Sequence, residues 1–165
     1  MTVSDGAGRR GVFRAETSIP GVAPERLGLS DVVVTCGTPR VGEQSVRIEP
    51  NPAARVEAGS LTAYVEIYHL KLDDRGQSRF EMAYTVKSAE KDERIWVRRL
   101  FAPRHVPPPI SATREETQSG SLRRQFVTVP VEELPSGRYW LEIRVEDLNR
   151  DEEVISRALF VRPFG

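Results

Sequence analysis

Apolar and polar residues alternate with a period of two along much of this chain, and sustained helical periodicity is hard to find. The clearest run is LTAYVEIYHL at positions 61–70. Successive side chains of a β-strand point to opposite faces, so this run predicts a strand with one core-facing and one outward face. The inward set is Leu61, Ala63, Val65 and Ile67, and the outward set is Thr62, Tyr64, Glu66 and Tyr68.

Seven further runs have a strand-like pattern, and turn residues separate them. The turns include Pro50-Asn51-Pro52, which cannot continue a central strand, and the LDDRGQ segment at 72–77. The strands on either side of Asp73–Gly76 are expected to form a hairpin. The seven runs are 27–35, 44–50, 79–87, 94–101, 122–131, 138–148 and 153–164.

About seven or eight short strands joined by Asp, Gly and Pro turns predict an all-β, antiparallel β-sandwich. The segment from Leu134 to Tyr139 narrows this to an immunoglobulin- or fibronectin-like sandwich. In such folds a chain crosses between sheets at a Pro/Gly turn. A tyrosine that follows can bury its ring while its hydroxyl bonds to upstream backbone.

The length of 165 residues fits one domain. Residues 1–26 are rich in Gly, Pro, Ser and Arg and predict an irregular N-terminal arm, with a short strand at Gly11–Thr17. Residues 27–165 then form the sandwich. A long loop is expected at 102–121, where Pro107-Pro108-Pro109 favours an extended conformation. Loops of this length are functional, disordered or a surface cover.

Composition excludes several classes of protein. The 24 basic and 24 acidic residues balance, and the basic pairs are scattered, which argues against nucleic-acid binding. No apolar run approaches the ~20 residues of a membrane-spanning helix. The N-terminal segment lacks the apolar core of a secretory signal. The chain is therefore expected to be intracellular or a piece of a longer protein.

The residues that carry chemistry show no spacing typical of an enzyme. His69 and His105 lie far apart and Cys36 is the only cysteine, so neither a metal site nor a disulfide is expected. The Asp147–Asp151 segment begins like a calcium loop but has Glu152 where that loop needs glycine. We therefore expect no catalysis, no metal and no cofactor.

The aromatic residues are the candidates for binding. Tyr64, Tyr68, Trp96 and Trp140 all fall on the outward side of their strands, with Glu66 between the two tyrosines. If these faces belong to one sheet, they form an exposed platform for a carbohydrate or a protein partner. The alternative is that this side packs under the N-terminal arm or the 102–121 loop. If Glu66 lies on a wet face, its replacement by alanine is nearly neutral. Bare aromatic side chains invite association, so Tyr64, Glu66 and Tyr68 are expected to be covered, either by side chains of a neighbouring strand and the N-terminal arm or by a partner surface.

Several short motifs resemble the C-terminal region of bacterial GWxTD-domain proteins. They are LGLSDV at 27–32, the Pro50-Asn51-Pro52 turn, Tyr64-Val-Glu66-Ile-Tyr68-His-Leu70, Gly137-Arg138-Tyr139 and Phe160-Val161-Arg162. The Gly-Trp-x-Thr-Asp signature itself is absent, so the resemblance covers only the sandwich portion. It implies a fragment of a larger exported or envelope-associated protein and no particular reaction.

The sequence thus favours a non-catalytic interaction or accessory module. Its expected partner is another protein or a second copy of the chain. The alternative is a carbohydrate-binding module that uses the aromatic face.

Overall fold

The computed structural model describes residues 2–4, 10–12, 25–37, 40–41, 46–57, 59–89 and 108–163. Twelve β-strands and no helix occur in these ranges. Four strands are very short and form two separate ribbons: β1 (Thr2–Ser4) with β2 (Arg10–Val12), and β5 (Arg40–Val41) with β6 (Val46–Arg47). The other eight are β3 (Gly28–Leu29), β4 (Val33–Thr35), β7 (Ser60–Tyr68), β8 (Gln77–Ser88), β9 (Ile110–Ser119), β10 (Arg123–Pro130), β11 (Gly137–Asp147) and β12 (Glu152–Arg162).

These eight strands form two antiparallel sheets, which confirms the predicted all-β sandwich class. In the first sheet β7 is central, with β10 on one side and both β3 and β4 on the other. The second sheet has the order β12-β11-β8-β9. Residues Ala54 and Val56 also bond to Val161 of β12 through backbone groups, at 2.8 and 2.9 Å.

The core lies between the inward faces of the two sheets. The inward set predicted for β7 is confirmed, since all four of its side chains are fully buried. From the second sheet, β8 contributes Phe80, Met82 and Val86, and β11 contributes Leu141, Ile143 and Val145. One continuous apolar cluster therefore joins both sheets, as burial of two amphipathic faces requires.

The corner between β10 and β11 carries the chain from the first sheet to the second. Tyr139 is almost fully buried, its ring stacks on Phe160 at 5.5 Å, and its hydroxyl donates to the Pro135 carbonyl at 2.8 Å. This is the arrangement predicted from the Leu134–Tyr139 segment.

The predicted hairpin around Asp73–Gly76 is wrong. Asp73 does build a tight turn, since its carboxylate accepts from the Arg75 and Gln77 amides at 2.9 Å. However, β7 and β8 belong to different sheets. The Asp and Gly residues predict a turn but not which strands pair on either side of it. The residues before the turn lead the chain to the other sheet, since His69 has a left-handed φ of 59° and Leu70 is buried.

The predicted loop at 102–121 is also wrong over most of the part that can be described. Ile110–Ser119 is the strand β9, paired with β8 from Val86–Ile110 to Gln77–Ser119. The sequence of β9 is polar on both faces after Ala112, so no period-two pattern predicts a strand there. The strand is defined by its backbone hydrogen bonds to β8. The predicted strand at 94–101, which contains Trp96, lies outside the described residues.

The N-terminal arm contains the β1–β2 ribbon within residues 2–12. Strand β2 overlaps the start of the strand predicted at Gly11–Thr17, and the rest of that prediction lies outside the described residues. Strands of three residues are too short for alternation to reveal them.

Candidate functional site

Tyr64, Glu66 and Tyr68 lie together on the outer face of the first sheet. Their positions alternate along β7, so all three side chains project from the same face. Both tyrosine hydroxyls donate to the Glu66 carboxylate, Tyr64 to Oε1 and Tyr68 to Oε2. The sequence placed these residues side by side correctly, but the two hydrogen bonds make them a closed cluster.

A neighbouring strand completes this cluster. Arg124 of β10 stands opposite Glu66 in the register and its Nε lies 3.3 Å from Oε1. Phe126, opposite Tyr64, packs its ring at 4.8 Å from the Tyr64 ring. Tyr64 is consequently buried although it faces outward, with only 7% of its surface exposed.

The backbone of Glu66 is fixed as well. Its amide donates to the Ser30 hydroxyl at 2.9 Å, and its carbonyl accepts from the Ser30 amide at 2.9 Å. Ser30 follows β3 directly, so three segments of the first sheet hold this residue. Glu66 is paired and about three-quarters covered, so the wet-face condition for a neutral Glu66→Ala is not met. The expected cover of this cluster by side chains of a neighbouring strand is present in Arg124 and Phe126.

The hydrogen bonds shift the pKa values of the cluster in opposite directions. Burial, followed by the bond to Glu66, raises the pKa of Tyr64 to about 12. The bond to Glu66 is the main cause that raises the pKa of Tyr68. The bonds from Tyr64 and Tyr68 hold the pKa of Glu66 below its usual value. At neutral pH the phenols stay protonated and the carboxylate stays ionised, so each tyrosine hydroxyl can donate to one carboxylate oxygen.

The outer face of the second sheet is different, because it exposes large apolar side chains among charges. Trp140 of β11 is 37% exposed and Ile155 of β12 is 43% exposed. Leu159 stands directly opposite Trp140 in the β11–β12 register. These three residues share the outer face of the β11–β12 pair and are here called the Trp140 stripe, although the Glu142–Arg157 pair lies between Ile155 and the other two in the register.

Ion pairs surround the Trp140 stripe. Glu142 accepts from Lys87 at 3.0 Å and from Arg157 at 2.6 Å, and these two cations hold its pKa below the usual value. Arg144 joins Glu81 at 2.9 Å and Glu153 at 3.0 Å. Each exposed pair contributes little to stability, so the pairs serve mainly to place charges of both signs around the apolar residues.

The proposed single aromatic platform is not formed. Tyr64 and Tyr68 belong to the first sheet and Trp140 to the second, so their outer faces point away from each other with the core between them. Trp96 lies outside the described residues. The sequence missed Arg124 and Phe126 as partners of the tyrosine cluster, because only the register of β10 against β7 brings them there.

No metal site emerges in the parts of the chain that the structure describes, where no three His, Cys, Asp or Glu side chains come close enough to share an ion. Within the same ranges no helix has the length and apolar character needed to cross a membrane. Comparison of the chain with protein-family models and with curated proteins found no match. The resemblance to GWxTD-domain proteins therefore stays a prediction.

Proposed function

We propose that this chain is a non-catalytic binding module and that it binds a protein partner through the outer face of the β12-β11-β8-β9 sheet. One observation carries the proposal: the Trp140 stripe is exposed on a regular sheet, whereas the tyrosine cluster on the opposite face is internally satisfied. Tryptophan and tyrosine are enriched where proteins bind each other, typically inside a polar rim.

The proposed module is of the immunoglobulin or fibronectin type. Two features support this finer assignment. The sheets have the order β10-β7-β3/β4 and β12-β11-β8-β9, and Tyr139 at the crossover bonds to backbone four residues upstream. Placement in a larger bacterial envelope or secreted protein is supported by the GWxTD resemblance alone.

Site-specific photocrosslinking tests the proposed surface. The photoreactive residue p-benzoylphenylalanine replaces Trp140 in one variant and Leu122 in a control, because Leu122 is similarly exposed at the turn between β9 and β10. A discrete protein adduct is expected from position 140 in cells of the source organism and not from position 122. Adding Ile155→Arg should remove that adduct. No adduct, or the same adduct from both positions, refutes the proposed surface.

A carbohydrate ligand is the second candidate, and it is supported by Trp140 standing beside Lys87 and Glu142, groups able to bond to sugar hydroxyls. In a Trp96→Phe variant, Trp140 is the only tryptophan and reports directly on its face. A saturable change in the emission of Trp140 during titration with soluble polysaccharides would favour a sugar ligand over a protein. Pull-down on insoluble polysaccharide is the second assay, and Trp140→Phe is its matched control, which should lose binding.

A further inference from the structure

We infer that the partner of the Trp140 stripe is a second copy of this chain, docked face to face through the outer surface of the β12-β11-β8-β9 sheet. The inference rests on the proposed function, because it names the partner of the same surface. Three properties of that surface carry it: its charge balance, its exposed apolar residues and its size.

The charges of this face are balanced and interspersed. Alternation along the four strands places five cations and five anions on the outer side, so two copies can meet without net repulsion. A face with an excess of one sign would oppose its own copy. The cations are Arg79, Lys87, Arg138, Arg144 and Arg157, and the anions are Glu81, Glu115, Glu142, Glu146 and Glu153.

Exposed apolar residues on the β11–β12 side of this face give such an interface its apolar contact. Trp140 and Leu159 stand opposite each other, and Ile155 lies two outward positions further along β12. Trp140 and Ile155 expose more than a third of their surface, which is costly for large apolar groups and is relieved by docking. In a two-fold dimer each copy contributes the same stripe, so the stripe of one copy can pack against the stripe of the other.

The face is large enough for a stable dimer. Its strands have 12, 10, 11 and 11 residues. At a strand spacing of ~4.8 Å and a rise of ~3.4 Å per residue, four such strands cover roughly 650 Å² in projection. Protruding side chains increase the accessible area above this projection. The total approaches the ~800 Å² that each partner buries in an interface of standard size.

The first test measures mass in solution by sedimentation velocity and light scattering. The wild-type protein is expected at twice the chain mass of 18.5 kDa, and Trp140→Arg at the single mass. Leu122→Arg and Leu148→Arg are the controls, because both leucines are exposed at turns away from the stripe and should leave the dimer intact. Circular dichroism checks that every variant is folded.

The second test uses the charge balance directly. Lys87→Glu/Arg157→Glu leaves three cations against seven anions, and Glu115→Lys/Glu153→Lys leaves the reverse. All four side chains are about half exposed, so the fold should tolerate the changes. Each variant alone is expected to be monomeric, and an equal mixture of the two is expected to dimerise.

The outcomes separate this inference from the proposed function. A monomeric wild type, or a dimer that Trp140→Arg leaves intact, overturns the inference. If the photoreactive residue at position 140 still forms an adduct with a different protein, the proposed function stands and the partner is not a second copy. If position 140 forms no adduct either in the purified protein or in cells, both proposals fall.

Discussion

Asp147 is a fully buried carboxylate that fastens the crossover between the two sheets, and its replacement should be among the most damaging in the chain. One oxygen accepts from the Lys71 amide at 2.7 Å, and the other accepts from the Asn149 amide at 3.0 Å. Asn149 in turn donates to the carbonyls of Lys71 and Gln77, at 2.9 and 3.2 Å. The β11–β12 turn is thereby bonded to both ends of the connection from β7 to β8.

The expected loss follows from these two bonds. A hydrogen bond to a charged group contributes ~1.5–3 kcal/mol, and a buried amide left without an acceptor carries a desolvation penalty of similar size. We therefore expect Asp147→Ala to lower the free energy of unfolding by about 3–5 kcal/mol. Asp147→Asn keeps one acceptor but turns an NH₂ group towards an amide, so it should lose roughly half as much.

Urea denaturation followed by circular dichroism measures this loss. With a typical slope of ~1–3 kcal/mol per molar urea, the midpoint for Asp147→Ala should fall by about 1–5 M at an unchanged slope. Asp74→Ala is the matched control, because Asp74 lies exposed in the same connection, and it should stay within ~0.5 kcal/mol of wild type. If Asp147→Ala behaves like the control, the role assigned to Asp147 is refuted.

Three further outcomes are expected. Leu141→Ala should cost about 2–5 kcal/mol in urea melts, since it opens a cavity at a fully buried position; an unchanged midpoint would contradict the assigned core. Absorbance titration at high pH should show one tyrosine ionising near pH 12, and Tyr64→Phe should remove this transition. Because the folded pKa of Tyr64 is raised, its contribution to the free energy of unfolding is complete below the ordinary tyrosine value of 10.0 and is lost as pH rises through about 12. Glu66→Ala should cost about 1–3 kcal/mol and Glu66→Gln less, because alanine leaves the buried Tyr64 hydroxyl without an acceptor. The lowered pKa of Glu66 means that its contribution is present above the ordinary carboxyl value and disappears as pH falls through the folded pKa, so equal costs at neutral and strongly acidic pH would contradict the pairing.

Features that depend on a single strand or turn could be predicted from the sequence. Period-two alternation identified β7 and its four inward, fully buried residues, because burial of one face requires that pattern. The Leu134–Tyr139 corner was predictable because the turn residues and the tyrosine lie next to each other in the chain.

Features that depend on distant partners could not be predicted in this way. The turn at Asp73–Gly76 has the residues of a hairpin, yet β7 and β8 do not pair with each other. Each pairs with strands from elsewhere in the chain, and those partners place β7 and β8 in different sheets. Strand β9 carries few apolar side chains, so backbone pairing with β8 alone reveals it. Arg124 reaches Glu66 from 58 positions along the chain, and only the strand register decides that contact.

The two outer faces show why the outward side of a strand does not by itself define a binding surface. Tyr64 and Trp140 both alternate outward, but Tyr64 contacts Phe126 and Glu66, whereas the register partners of Trp140 are Leu159 and Lys87. The side chains opposite each aromatic residue, and not its own alternation, therefore decide its exposure. Because the sheets of a sandwich are ~10 Å apart and share only the core, changes on one face should not reach the other. The effects of Glu66→Gln and Trp140→Arg on stability and association should accordingly add within ~0.5 kcal/mol, and a larger coupling would show that the faces communicate through the core.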